Sequence, residues 1–223
     1  VRTLVARAPE LDPATIDEVY LGNANGAGEE NRNVARMATL LAGLPVSVPG
    51  STINRLCGSS LDAAMMGSRQ IEVGEGDLLL VGGVESMSRA PWVLPKTERP
   101  YPMQNLELAN TTLGWRLVNP DMPSEWTVSL GEATEQLREK HGISREDQDA
   151  FAATSHQLAA KAWDEGKYDD ITVSVAPNTK KGVELTRDET VRGDSTPETL
   201  AGLRTVFRSG DNATVTAGNS SPI

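Results

Sequence analysis

The single thiol in this 223-residue chain, Cys57, lies in the run STINRLCGSSLDAAMM. Residues 51–56 are rich in β-branched types and read as an extended segment, whereas the residues after the cysteine are small or helix-forming. The pattern predicts a strand-to-helix turn with the sulfur at, or just before, the helix start. Unpaired backbone N–H groups and the positive end of the helix dipole favour an anion there, and so a thiolate. Gly58, Ser59 and Ser60 are small enough for a substrate to come close to the backbone. This is the thiol counterpart of a nucleophile elbow, in which a tight turn pushes the attacking atom into the open. The competing reading is a small hydrophobe packed between strand and helix, since free cysteine is among the most buried residue types.

A cysteine hydrolase would need a histidine paired with the thiol. The chain has two: His141, before Gly142 at a helix end where the dipole favours a cation, and His156, within a helix among polar residues. Neither carries a motif that pairs it with Cys57, and both read as structural or solvated. The net charge of −10, from 31 acidic and 21 basic residues, argues against a nucleic-acid partner or an anionic membrane surface. The densest basic cluster, Lys180 and Lys181, reads as the tip of a solvated turn. No apolar run approaches the length needed to cross a bilayer, and no leader with a basic start and apolar middle is present. One cysteine cannot form an internal bridge, which favours the reducing cytoplasm.

The elements that must hold Cys57 follow from hydrophobic period and stop signals. VRTLVARAPELDP reads as the last turns of a helix stopped by Pro9 and Pro13, an unusual start for a domain. Ile16–Gly22 is a strand candidate, Val34–Leu44 a helix ended by Gly43 and Pro45, residues 48–56 an extended run, residues 58–74 a helix, and Asp77–Ser86 a buried strand. That alternation is the order of an α/β layered domain with covered faces. From Arg89 to about Met122 the chain is an irregular, Pro- and Asn-rich excursion with Trp92, Tyr101 and Trp115. Helices are expected over Ser129–Gly142 and Ser144–Gly166, the second opened by a variant capping box of Ser144 and Asp147. A hairpin over 168–189, a short helix over 196–204 and a new strand from Ala213 complete the reading.

NRLCGSSLDA resembles the nucleophile motif of the thiolases, which set a cysteine in N-R-x-C-[GA]-S-[GS]. GEENRNVAR, GGVESMSRAP, HGISREDQDAFA and TVTAGNSS are similar to further blocks of that family, in its order and intervals, so the resemblance covers nearly the whole chain. It implies a thiolase-like α/β fold: a layered α-β-α core over 1–88 without its first strand, an inserted α+β loop domain over 89–212 that binds coenzyme A, and 213–223 leading back to the core. It implies an acyl-CoA C-acyltransferase in which Cys57 attacks a thioester or 3-oxothioester carbonyl and holds the acyl group, its own N–H donating to the carbonyl oxygen. Coenzyme A or acyl-CoA would be the substrate, with no permanently bound cofactor and no metal. By position, Arg192 matches the arginine that packs on the nucleotide, where a planar cation suits adenine and phosphate. Thr199, Ala217 and Ser221 match contacts to adenine and the pantetheine arm.

Two departures stand out. Ser60 replaces the glycine of the most familiar members, as in some degradative branches. Ser129, Leu130 and Gly131 stand where the short-chain biosynthetic branch has His-Met-Gly, which leans toward a degradative or broader 3-ketoacyl-CoA thiolase with Leu130 as the apolar lid over the pantetheine. The family also draws on an activating histidine, an Asn-Glu-Ala-Phe motif and a second cysteine; none occurs in these residues. The expectation is therefore the first core and loop domain of a longer protein, one that assembles as a homodimer or homotetramer. The alternative is a non-catalytic acyl-CoA-binding protein with a relic cysteine, or an inactive fragment.

Overall fold

The computed structural model describes residues 1–177 and 182–221. They form two compact units, Val1–Leu117 and Val118–Ile223. Residues 89–117 thus group with the first unit and 213–221 with the second.

In the first unit a short helix α1 (Arg2–Ala6) precedes β1 (Glu18–Gly22), α2 (Val34–Leu41), β2 (Gly50–Ile53), α3 (Ser59–Glu72) and β3 (Leu79–Gly83). The strands form a parallel sheet in the order β2-β1-β3, with Val19 opposite Gly50 and Leu80. Right-handed crossovers in that order put α2 and α3 on opposite faces, and the side chains agree. Val19 and Leu21 point into a core with Ala35, Leu44 and Val48 on the α2 side. Tyr20 and Gly22, one residue out of phase, meet α3: the Tyr20 hydroxyl donates to Gln70 at 2.8 Å. The layered α/β expectation therefore holds.

Several boundaries are tighter than expected. Helix α2 stops at Leu41 because Gly43 turns left-handed at φ +87° and the Leu44 N–H reaches back to the Thr39 carbonyl at 3.2 Å. Strand β3 is shorter than expected and half-exposed, with Val81 39% accessible, rather than buried. The excursion after it holds only a two-residue antiparallel pair, β4 (Trp92–Val93) with β5 (Ala109–Asn110).

The second unit contains α4 (Leu130–His141), α5 (Arg145–Asp164) and α6 (Pro197–Ala201). Ser144 and Asp147 form the expected capping box, and Gly142 closes α4 in the left-handed region at φ +64°. The expected hairpin is reduced to one antiparallel bridge, Val175 with Leu185; its tip at Lys180 and Lys181 lies outside the described residues. No strand begins at Ala213. Only Thr216 makes a β-bridge there, with Thr205, because the N–H groups of Thr214 and Val215 bond to the Glu135 carboxylate at 2.8 Å instead of to a neighbouring strand.

Candidate active site

Cys57 is exposed and stands between β2 and α3, one residue before the α3 N-cap, Gly58. The turn is over-determined. Asn54 donates to the Ala24 carbonyl at 3.0 Å and accepts from the Leu56 N–H at 3.0 Å. The Ser59 hydroxyl donates to the Leu56 carbonyl at 2.5 Å and accepts from the Arg55 N–H at 2.9 Å. Between these ties Leu56 adopts φ +49°, a conformation rare for a side chain of that size. A sharp backbone reversal immediately before the cysteine is what presents the sulfur to solvent, so the buried-hydrophobe reading does not describe this thiol.

The turn sits beyond the carboxyl ends of parallel strands, where open α/β sheets hold their ligands. Gly22 and Gly83, at the ends of β1 and β3, let α3 approach that edge. A Cβ on Gly22 would fall 2.4 Å from the Ser60 nitrogen, and one on Gly83 would overlap the Ser60 hydroxyl. Polar side chains then fasten the three strand ends to each other. The Asn23 N–H donates to the Ile53 carbonyl at 3.0 Å, its amide to the Val84 carbonyl at 2.8 Å, and Glu85 accepts from the Ala24 N–H at 2.7 Å. An ion pair of Arg55 with Asp62 at 3.1 Å joins the turn to the first turn of α3.

Within the second unit a cleft of about 390 Å³ is lined by His156, Arg192, Ser195, Leu200, Ala217 and Ser220, among others. One face of α5 builds it. His156 Nδ1 accepts from the Arg192 N–H at 3.2 Å, and Gln157 donates to the Ser195 carbonyl at 2.8 Å. Arg145 donates to the carbonyls of Leu200 and Leu203 at 2.8 and 3.1 Å, and Asp149 accepts from the Asn219 amide at 2.9 Å. The fourth and eleventh residues beyond Arg145 fall on the same helical face, which explains why one helix can hold three loops at once.

Of the residues singled out from sequence, Arg192 and Ala217 line this cleft. Thr199 does not; its hydroxyl bonds the Thr196 carbonyl at 2.9 Å and caps α6. Ser221 is exposed, and its neighbour Ser220 takes the lining position. Leu130 opens α4 and is 79% exposed. His156, read above as structural or solvated, is a wall of the cleft. The sequence carried no signal for it, because its Arg192 partner is 36 residues away.

A family profile described as "Thiolase, N-terminal domain" matches residues 1–223. The chain belongs to the thiolase family. This thiolase chain is 52% identical to the 3-oxoadipyl-CoA/3-oxo-5,6-dehydrosuberyl-CoA thiolase of Escherichia coli strain K12, over 100% of the chain and 56% of that protein. It is 48% identical to the beta-ketoadipyl-CoA thiolase of Pseudomonas knackmussii, over 100% of the chain and 55% of that protein. It thus spans about half the length of the curated relatives it matches. Among solved structures, the Bacillus anthracis acetyl-CoA acetyltransferase superposes with a TM-score of 0.86 at 36% identity, covering 99% of this chain and 54% of the other. The Ascaris suum Acat5 thiolase, crystallised with coenzyme A, gives 0.83 at 30% identity, covering 100% of this chain and 55% of the other.

Proposed function

We propose that this chain carries the nucleophile and the coenzyme A site of a degradative thiolase acting on a 3-oxoacyl-CoA whose acyl group ends in a second carboxylate. The observation that carries the reading is the exposed Cys57 on its strained turn at the sheet edge. The names of the relatives at 46–52% identity supply the substrate class, 3-oxoadipyl-CoA.

The chemistry runs in two half-reactions. The Cys57 thiolate adds to the C3 carbonyl, whose oxygen takes a hydrogen bond from the Cys57 N–H. The C2–C3 bond then breaks, its electron pair stays on C2, and C2 takes up a proton to leave as acetyl-CoA. With 3-oxoadipyl-CoA the group left on sulfur is succinyl. The thiol of a second coenzyme A attacks that thioester, loses its proton and returns the Cys57 thiolate. The proton carriers are groups that the family places in a further core domain.

Residues 89–212 act as the coenzyme A-binding domain in this reading. Arg192 packs on the nucleotide, Ala217 lines the pantetheine path, Thr199 and Ser221 flank it, and Leu130 forms the lid. Its side chain is exposed, as a residue awaiting an apolar ligand would be. Cytoplasmic location and a homodimeric or homotetrameric state complete the reading. Among the described residues no helix is long and apolar enough to cross a membrane.

Incubation of the complete protein with acetyl-CoA, followed by peptide mass mapping, should place one acetyl group on Cys57. Cys57→Ala should lose that label and all turnover while keeping its affinity for coenzyme A. Coenzyme A binding with no label on Cys57 would mean a binding protein rather than an enzyme. A kcat/KM for 3-oxoadipyl-CoA no greater than for the uncharged six-carbon analogue would refute the dicarboxylyl assignment.

A further inference from the structure

Glu135 is a carboxylate that the reaction above does not use, and its side chain is fully buried. Its Oε1 accepts the N–H groups of Thr214 and Val215, both at 2.8 Å. Its Oε2 accepts the Thr214 hydroxyl at 2.9 Å and Arg138 Nε at 3.2 Å. The next N–H, that of Thr216, goes to Asn219 Oδ1 at 2.8 Å, and the Asn219 amide is fastened to Asp149. Every main-chain donor from Thr214 to Thr216 therefore ends on a side-chain oxygen. Ala217 and Gly218, the next residues, are the cleft wall.

We propose that Glu135 is a positioning residue for coenzyme A, its carboxylate replacing a strand partner and holding residues 214–218 at the height at which Ala217 and Gly218 can meet the ligand. The inference rests on the reading of the cleft as the coenzyme A site. A charge is buried without loss only where donors surround it, and four do. An apolar residue at this position would leave two buried N–H groups without partners, and the segment would shift to find water. Leu130, the proposed lid, opens the same helix α4, little more than a turn before Glu135.

The two acceptor oxygens are not equivalent, which makes the idea testable. Glutamine at 135 keeps Oε1 for the two N–H groups and can donate through Nε2 to the Thr214 hydroxyl, which can act as acceptor; Arg138 loses its Oε2 acceptor but keeps Glu139 and the Asn212 carbonyl. Aspartate keeps the charge but is one methylene too short to reach both N–H groups.

The test compares Glu135→Gln, Glu135→Asp and Glu135→Ala in the complete protein, by titration calorimetry with coenzyme A and by steady-state kinetics. The expected result is that E135D and E135A raise both Kd and KM for coenzyme A by about tenfold or more, that E135Q stays within about threefold of wild type, and that saturating kcat changes little in all three. Should E135A fail to fold, the E135D and E135Q pair carries the same comparison. Wild-type affinity in E135D overturns the proposal, as does E135Q weakening coenzyme A as much as E135D. A fall in kcat with unchanged Kd also overturns it. Wild-type protein with no affinity for coenzyme A would instead remove the reading of the cleft, and this inference with it.

Discussion

At the scale of single residues, the turn before the nucleophile stores strain in one place. Leu56 at φ +49° is held by its neighbours' hydrogen bonds rather than by its own preference. Leu56→Ile should destabilise the fold by about 1–3 kcal/mol, because a β-branched residue resists that region most. Leu56→Gly should change stability by less than about 1 kcal/mol, relief of strain offsetting the added freedom of the unfolded chain. Urea unfolding of the two variants reads the difference directly. Equal losses would show that packing, not backbone conformation, decides this position.

At the scale of elements, the helices of the second unit depend on their first turns. Helix α6 is only five residues long and opens on a reciprocal capping box of Thr196 and Thr199 with Pro197 at its first position. Thr196→Ala should cost about 1 kcal/mol of stability. It should also weaken coenzyme A binding, because Leu200 and Ser195 line the cleft on either side of that cap. Calorimetry on the variant tests both; wild-type affinity would separate the cap from the site. In the first unit the equivalent constraint is the approach of α3 to the sheet. Gly83→Ala would drive a methyl group into the Ser60 hydroxyl and Gly22→Ala one into the Ser59–Ser60 backbone. Each should cost about 1–3 kcal/mol by overpacking. Gly22→Ala should fall at the upper end, since backbone cannot rotate aside as a hydroxyl can. Loss of acetyl labelling at Cys57 should accompany the loss of stability.

At the scale of the whole molecule, the response to acid follows from carboxylates that the fold holds ionised. Arg208 bonds Glu132 through two nitrogens at 2.8 and 2.5 Å, and with Gln136 it lowers the Glu132 carboxyl to about 2. Asp17 is lowered by the N–H groups of Leu78 and Asp77, and Glu29 by Arg89. Burial alone would raise Glu135, but the N–H groups of Val215 and Thr214, the Thr214 hydroxyl and Arg138 outweigh it and the net shift is downward. A carboxyl group depressed in the folded state contributes stability in full above its unfolded value. That contribution is lost as pH falls through the folded one. Stability should therefore be level near neutrality and fall progressively from about pH 4.5 toward 2. Urea midpoints measured between pH 7 and 3 provide the check. Arg208→Met should flatten the lower part of that fall, and an unchanged profile would exclude the Glu132 pair as its source.

The sequence alone determined the order of strands and helices in the first unit, the strand-to-helix turn at Cys57, the capping of α5 at Ser144 and the family motifs. All are local: they rest on apolar period, β-branched runs and capping residues within a few positions of each other. Tertiary structure decided which polar groups lose their water. Glu135 and Asp149 lie within helices that sequence alone predicts, yet each closes on a partner 70 or more residues away. Glu135 also removed the strand expected from Ala213, by taking the N–H groups of Thr214 and Val215 that a ladder would have used. His156 became a wall of the cleft for the same reason, through a contact 36 residues distant. Local pattern sets what the backbone does over one element. Desolvation depends on which elements meet, and no short window of residues contains that information.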